Sequence, residues 1–219
     1  MKKNKVERIR GFGKLASKTQ IDVFNEKNEK VDSITADNII IATGARTRTI
    51  PQIPVDREYI ITSTEAMIQP EPPKELVVVG AGAIGIEFAY FYNVFGSKVT
   101  VIEMLDSILP IEDKEVSATL EKNFKKRGIE ILTKATVEKA AVKNKKVHLI
   151  INHNGDKKEI KADKVLSAIG VTGNIENIGL EELGIETFKN SIVVDKNNYR
   201  TNVENIYAIG DVIGPPWLA

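Results

Sequence analysis

The chain has 219 residues, 42% of them hydrophobic and 28% charged, enough apolar material for one large domain or two small ones. Its 31 basic and 30 acidic residues leave a net charge of +1, which excludes a broad field for attracting nucleic acid or anionic lipid. With no cysteine, a disulfide framework, a thiolate metal site and a cysteine nucleophile are excluded within these residues.

The opening MKKNKVERIR is polar and has no apolar core behind it, so it does not read as a secretory signal. Residues 1–42 then alternate short β-like runs with polar turns. Gly11-Phe12-Gly13 breaks the first run, and residues 19–24 alternate polar and apolar side chains. Ile39-Ile40-Ile41-Ala42 is a continuous apolar run ending at Thr43-Gly44, the pattern of a fully buried strand. A connector with Pro51, Pro54, Pro70, Pro72 and Pro73 comes next. Proline fixes φ and discourages helix before it, so a domain crossing is expected here, with blocks 1–72, 73–171 and 172–219.

From Lys74 the pattern changes to strand, helix, strand, helix, strand: 76–79, 83–95 closed by Gly96, 98–103, 113–127 closed by Gly128, and 129–132. Val116, Leu120 and Phe124 recur at four-residue spacing and predict one inward face for the second helix. Such alternation builds a parallel sheet with crossover helices, an α/β fold. Segments 137–142, 147–152 and 159–161 then read as an antiparallel β-meander, with Asn154-Gly155 as a hairpin turn. A buried strand at 165–168 ends in Ile169-Gly170, and strands at 191–194 and 205–208 lead to Gly210-Asp211. The longest apolar stretch, 81–95, is interrupted by Glu87 and too short to span a bilayer. A cytoplasmic protein without membrane or nucleic-acid partners is expected. His148 and His153 sit among polar residues in the meander and read as surface groups, so no metal site is expected.

The segment Leu76-Val77-Val78-Val79-Gly80-Ala81-Gly82-Ala83-Ile84-Gly85 carries the chemistry. A GxGxxG turn is weak by itself, but here it comes after an apolar strand and opens a helix. Gly80 permits the tight turn, Gly82 presents no Cβ to a diphosphate, and Gly85 lets helix and strand pack closely. The helix start at Ala83, Ile84 and Gly85 offers unpaired N–H groups and a partial positive charge to phosphate oxygens. Glu103, 23 residues beyond Gly80, ends the next strand, where a carboxylate can accept from an adenine ribose diol and repel a 2′-phosphate. Met104-Leu105-Asp106 supplies no cation for that phosphate, so NAD is favoured over NADP. The plainer reading is a tight β–α turn with a solvated acid at the strand end. Glu87 is either a carboxylate near the helix start, stabilised by the dipole, or a group facing the nicotinamide.

Several motifs together resemble one family. Ile40 to Ala45, the glycine fingerprint, Ala168-Ile169-Gly170 and Ile206 to Asp211 occur in the order found in flavoprotein pyridine nucleotide-disulfide oxidoreductases. Gly11 to Leu15, Val99 to Glu103, Ile108-Leu109-Pro110, Asn174-Ile175-Glu176-Asn177 and Val212 to Ala219 point within that group to the dihydrolipoamide dehydrogenases. The resemblance implies a Rossmann-like NAD-binding domain inserted between parts of an incomplete FAD-binding domain. It implies NAD contacts at Gly80, Gly82, Ala83, Ile84, Gly85, Glu87, Glu103, Val137 and Gly170. FAD contacts are implied at Gly13, Thr43, Gly44, Ala45, Asp211, Leu218 and Ala219, although Asp211 alone would read as a turn residue.

Members of the family also carry an earlier FAD-binding glycine motif, a redox-active cysteine pair and a carboxy-terminal dimerisation domain with a catalytic histidine. The chain has none of these, so no catalytic residue is expected within it, and a fragment of a homodimeric parent is expected. Such a parent would serve a lipoyl-bearing acyltransferase complex. The family's usual arginine and proline after Gly170 are replaced by Val171 and Gly173. Alternatives are a stand-alone NAD-binding regulatory module, or the same region of an NADH oxidase, mercuric reductase or CoA-disulfide reductase. The apolar end Pro215-Pro216-Trp217-Leu218-Ala219 argues for an interrupted core over a free-standing module.

Overall fold

The computed structural model describes residues 2–215, which fall into two compact units: residues 2–46 with 172–215, and residues 47–171.

The 47–171 unit is built on a five-stranded parallel sheet. Its order is Ile60–Ile61, Lys164–Ser167, Glu75–Val79, Lys98–Ile102, Glu130–Leu132. The apolar runs are buried on both faces, as a parallel sheet requires. Leu76, Val78, Val99, Val101 and Leu166 pack against Ala66, Ile86, Ala89, Tyr92 and Phe124 of the helices Ser63–Ala66, Ala83–Val94 and Lys114–Lys126. On the other face Val77, Val79, Ile102 and Val165 meet Ala140, Val147, Leu149 and Ile151. These come from the antiparallel sheet Ala135–Lys143, Lys146–His153, Asp156–Ala162. Asn154 and Gly155 form the expected two-residue hairpin loop, both with positive φ, between paired His153 and Asp156.

Three expectations are corrected in this unit. The first crossing comes at 46/47, before the prolines and not after residue 72. Ile60 and Ile61 add a strand to the parallel sheet, and buried Ile53 joins its core, so the connector folds as part of this unit. Val116 is 56% exposed, and the inward face of its helix runs through Ser117, Leu120 and Phe124 instead. Residues four apart drift about 40° around a helix, so Val116, in the first turn after the Asp113 cap, lies roughly 80° from Phe124 and falls off the packed face. The strand expected to run to Glu103 ends at Ile102, although Glu103 N–H still donates to Leu132.

The other unit contains an antiparallel sheet of Phe12–Ser17, Gln20–Phe24 and Lys30–Thr35. A parallel pair, Ile39–Ile41 with Ile206–Ala208, and a small hairpin, Thr187–Phe188 with Ser191–Ile192, complete it. Leu15, Ile39, Ile41, Leu180, Ile192, Ile206 and Val212 form its core. Gly13 lies inside a strand and does not break it. Ile40 is 61% exposed, because only one face of its strand is packed; Ile39 and Ile41 point inward. The strand expected over 191–194 covers only Ser191–Ile192. No helix among the described residues is long and apolar enough to cross a membrane.

Candidate functional site

In the 47–171 unit the chain runs from Glu75–Val79 to Lys98–Ile102 and Glu130–Leu132 on one side, then returns to Lys164–Ser167 on the other. The end of Glu75–Val79 is therefore the point where strand order reverses, the usual crevice for a ligand in an open α/β sheet. Gly80 sits there with φ 101°, its N–H donating to Ile102 at 2.8 Å. A side chain at Gly80 would collide with the Ala168 carbonyl, and one at Gly85 with the Gly80 carbonyl. At Gly82 a Cβ would meet nothing within 4 Å. Two glycines are thus required by neighbouring backbone, and the third leaves open space beside the turn.

Gly82 is the N-cap of Ala83–Val94, and no side chain caps the helix. The first helical N–H groups have no intrahelical partner, so Ala83, Ile84 and Gly85 present donors and the positive end of the dipole at the open side of Gly82. Such a helix start can receive an anion on backbone amides alone.

Glu103 is 7% exposed and both its oxygens are used. Oε2 accepts from Ala81 N–H at 2.7 Å and Oε1 from Leu105 N–H at 2.9 Å. Its carbonyl accepts from Ala135 N–H at 2.9 Å, and that of Leu105 from Lys134 at 2.8 Å. This stitching brings the start of Ala135–Lys143, with Val137, beside the acid; the Val137 side chain packs into the core behind the sheet. Ala81 is fixed a second time, its carbonyl accepting from Leu109 N–H at 2.8 Å. Gly170, exposed and with φ 109°, comes after Lys164–Ser167 at the same sheet edge and accepts from Arg48 N–H at 3.0 Å. Glu87 is exposed on the helix, in a groove with Tyr90, Asn123 and Arg127.

In the other unit, paired Ile39–Ile41 and Ile206–Ala208 end side by side. Thr43, Gly44 and Ala45 leave one strand, and the short helix Gly210–Ile213 with exposed Asp211 leaves the other. Ile209 N–H donates to Ile41 at 3.0 Å, carrying the pairing to the turn. Gly13 lies on the separate three-stranded sheet, opposite Val23. Leu218 and Ala219 fall outside the described residues.

His148 Nδ1 lies 2.7 Å from Glu159, a contact that lowers the carboxyl's pKa, and His153 neighbours Asn154 and Lys158. No group of three or more metal-binding side chains occurs among the described residues. Sequence reasoning missed the Ala81 partner of Glu103. It also missed the helix Ser63–Ala66, whose Thr62-x-x-Glu65 capping box was there to be read.

Residues 1–219 match the family model described as pyridine nucleotide-disulphide oxidoreductase. A dihydrolipoyl dehydrogenase from Zymomonas mobilis is 45% identical over 221 residues, covering all of this chain and 47% of that protein. One from Rhizobium etli is 44% identical over 236 residues, covering all of this chain and 48% of that protein. The chain spans about half the length of the curated relatives it matches. Among solved structures, LpdA from Mycobacterium tuberculosis superposes with a TM-score of 0.86 at 30% identity, over 96% of this chain and 46% of that one. The HOCl-induced flavoprotein disulfide reductase RclA from Escherichia coli, in a Cu(II) complex, gives 0.82 at 28%, over 93% and 45%.

Proposed function

The chain belongs to the pyridine nucleotide-disulphide oxidoreductase family, and from that premise we propose that it carries the NAD-binding region of a dihydrolipoyl dehydrogenase. The observation that supports this best is the uncapped start of Ala83–Val94 behind Gly82, with the buried Glu103 carboxylate bonded to the same turn. Amides of Ala83, Ile84 and Gly85 would hold the diphosphate. Glu103 would accept from the adenine ribose with its remaining lone pairs and repel a 2′-phosphate. Val137 and Gly170 would line the adenine and nicotinamide ends, and Glu87 would face the nicotinamide side. Gly13, Thr43, Gly44, Ala45 and Asp211 would contact FAD; open space at Gly44 suits close approach of a ligand. Bound at these places, NAD would supply the hydride acceptor and FAD the relay for the electron pair of a dithiol.

The whole reaction would form one S–S bond in lipoamide. Two electrons and one proton would pass to NAD, and the second proton to solvent. Fold likeness extends to both LpdA and RclA, so the choice of dihydrolipoamide rests on the sequence relatives. Homodimerisation, service to a lipoyl-bearing acyltransferase complex and a cytoplasmic location belong to the same proposal for the whole enzyme. With no cysteine in its sequence, the chain itself should not reduce lipoamide. Calorimetric titration with NADH and NADPH tests the reading: saturable NADH binding and weaker NADPH binding are expected. Equal affinities, or no heat with either, would refute it.

A further inference from the structure

The Asn174–Asn177 segment carries polar side chains that the nucleotide contacts leave unused. Asn174 meets the Thr43–Gly44 turn, across 131 residues of sequence, through three hydrogen bonds. Thr43 Oγ1 donates to the Asn174 carbonyl at 2.7 Å, Asn174 Nδ2 donates to the Thr43 carbonyl at 2.9 Å, and Asn174 N–H donates to the Gly44 carbonyl at 2.9 Å. The far side of the amide is fixed as well. Its Oδ1 accepts from Arg46 Nη1 at 3.0 Å, and Glu176 grips the same guanidinium, Nη2 to Oε1 at 2.6 Å and Nη1 to Oε2 at 2.9 Å. A guanidinium can only donate, so the oxygen of Asn174 must face Arg46 and its NH2 must face Thr43.

Arg46 and Glu176 are each 51% exposed, and an ion pair so placed adds little stability. The planar two-pronged grip sets an orientation instead. Arg46 hydrogen bonding holds the Glu176 carboxyl down at about 2, so the pair stays charged through the neutral range. At the other end of the chain of contacts, Gly44 has φ 69° and open space where a side chain would stand. Such a turn has several conformations open to it unless its carbonyls are held.

We propose that Asn174, oriented by the Arg46–Glu176 pair, is a positioning residue that fixes the Thr43–Gly44 turn for cofactor contact. This rests on the assignment of that turn to FAD. Asn174→Asp keeps the volume and the acceptor for Arg46, but sets an acceptor against the Thr43 carbonyl. Backbone 15N relaxation on the full 219-residue chain reads the result. In Asn174→Asp the Gly44 order parameter should fall from about 0.85 to below about 0.6, with residues 75–79 unchanged. Glu176→Gln, a surface change that spares the fold, should loosen Gly44 by a smaller amount and decides the matter if the first variant does not fold. An unchanged Gly44 overturns the proposal, as does loss of order spread through the whole unit. A parallel FAD titration separates the two claims. A flavin response of the parent chain that a loosened turn leaves unchanged keeps the positioning role standing and removes the flavin assignment.

Discussion

Glu103 Oε2 accepts the backbone N–H of Ala81 at 2.7 Å, so the acid just beyond one strand holds the glycine turn that follows its neighbour. The carboxylate proposed for ribose recognition is also a structural member of the glycine turn. Specificity and cradle geometry should therefore be coupled.

Glu103→Ala leaves the buried Ala81 and Leu105 amides without their acceptor. An unsatisfied buried donor costs about 1–3 kcal/mol, and each kcal/mol shifts the melting midpoint of a chain this size by roughly 2–4 °C. A melt lowered by several degrees is expected, together with loss of discrimination between NADH and NADPH. A variant that melts like the parent chain would show that the contact carries no weight.

Gly82 and Gly85 should respond in opposite ways to alanine. Gly82 has φ −71° and room for a Cβ, so Gly82→Ala should leave the melt within a degree or two while weakening NADH about tenfold or more. Gly85→Ala would drive a methyl into the Gly80 carbonyl and should lower stability by about 1–3 kcal/mol. Thermal melts and calorimetry on the pair give the answer; a destabilised Gly82→Ala with normal NADH affinity would reverse the assignment.

Arg46 hydrogen bonds hold Glu176 at about 2, below its ordinary 4.5. The fold favours the charged form, so the stabilisation is present above the ordinary value and is lost as pH falls towards 2. In Arg46→Met the carboxyl should titrate back near the ordinary carboxylate range, and the stability lost between pH 4.5 and 2 should shrink. Side-chain 13C titration by NMR tracks this directly. An unmoved Glu176 would mean that Arg46 is not the cause.

Tyr92 is 2% exposed and its hydroxyl donates to the Ala66 carbonyl at 2.7 Å, tying Ser63–Ala66 to Ala83–Val94. Tyr92→Phe should cost about 1 kcal/mol, seen as a small drop in the denaturation midpoint, with NADH affinity unchanged. A change in affinity without one in stability would place this helix contact in the site.

The parallel sheet, its two long helices and the glycine turn were legible because their signals are local: apolar strand runs, Asp113 and Gly128 as helix punctuation, and three glycines at fixed spacing. What escaped was set by tertiary neighbours. Ile40 sits in a continuous apolar run and Val116 at helical spacing, yet both are exposed, since an apolar pattern does not say whether a partner covers each face. Residues 47–72 looked like a linker because proline dominates the pattern, and only pairing of Ile60–Ile61 with Lys164–Ser167 shows where they belong. The partners of Asn174 and Glu103 lie 131 and 22 residues away, beyond any local rule.

Backbone amides at the start of Ala83–Val94 are proposed to grip a diphosphate, and an NADH titration followed by 1H–15N correlation spectra reads those amides one by one. Saturable shifts of the Gly82, Ala83, Ile84 and Gly85 amides are predicted, joined by the Ala81 amide through Glu103. Saturation with those amides unmoved, or shifts confined to another surface, would contradict the account.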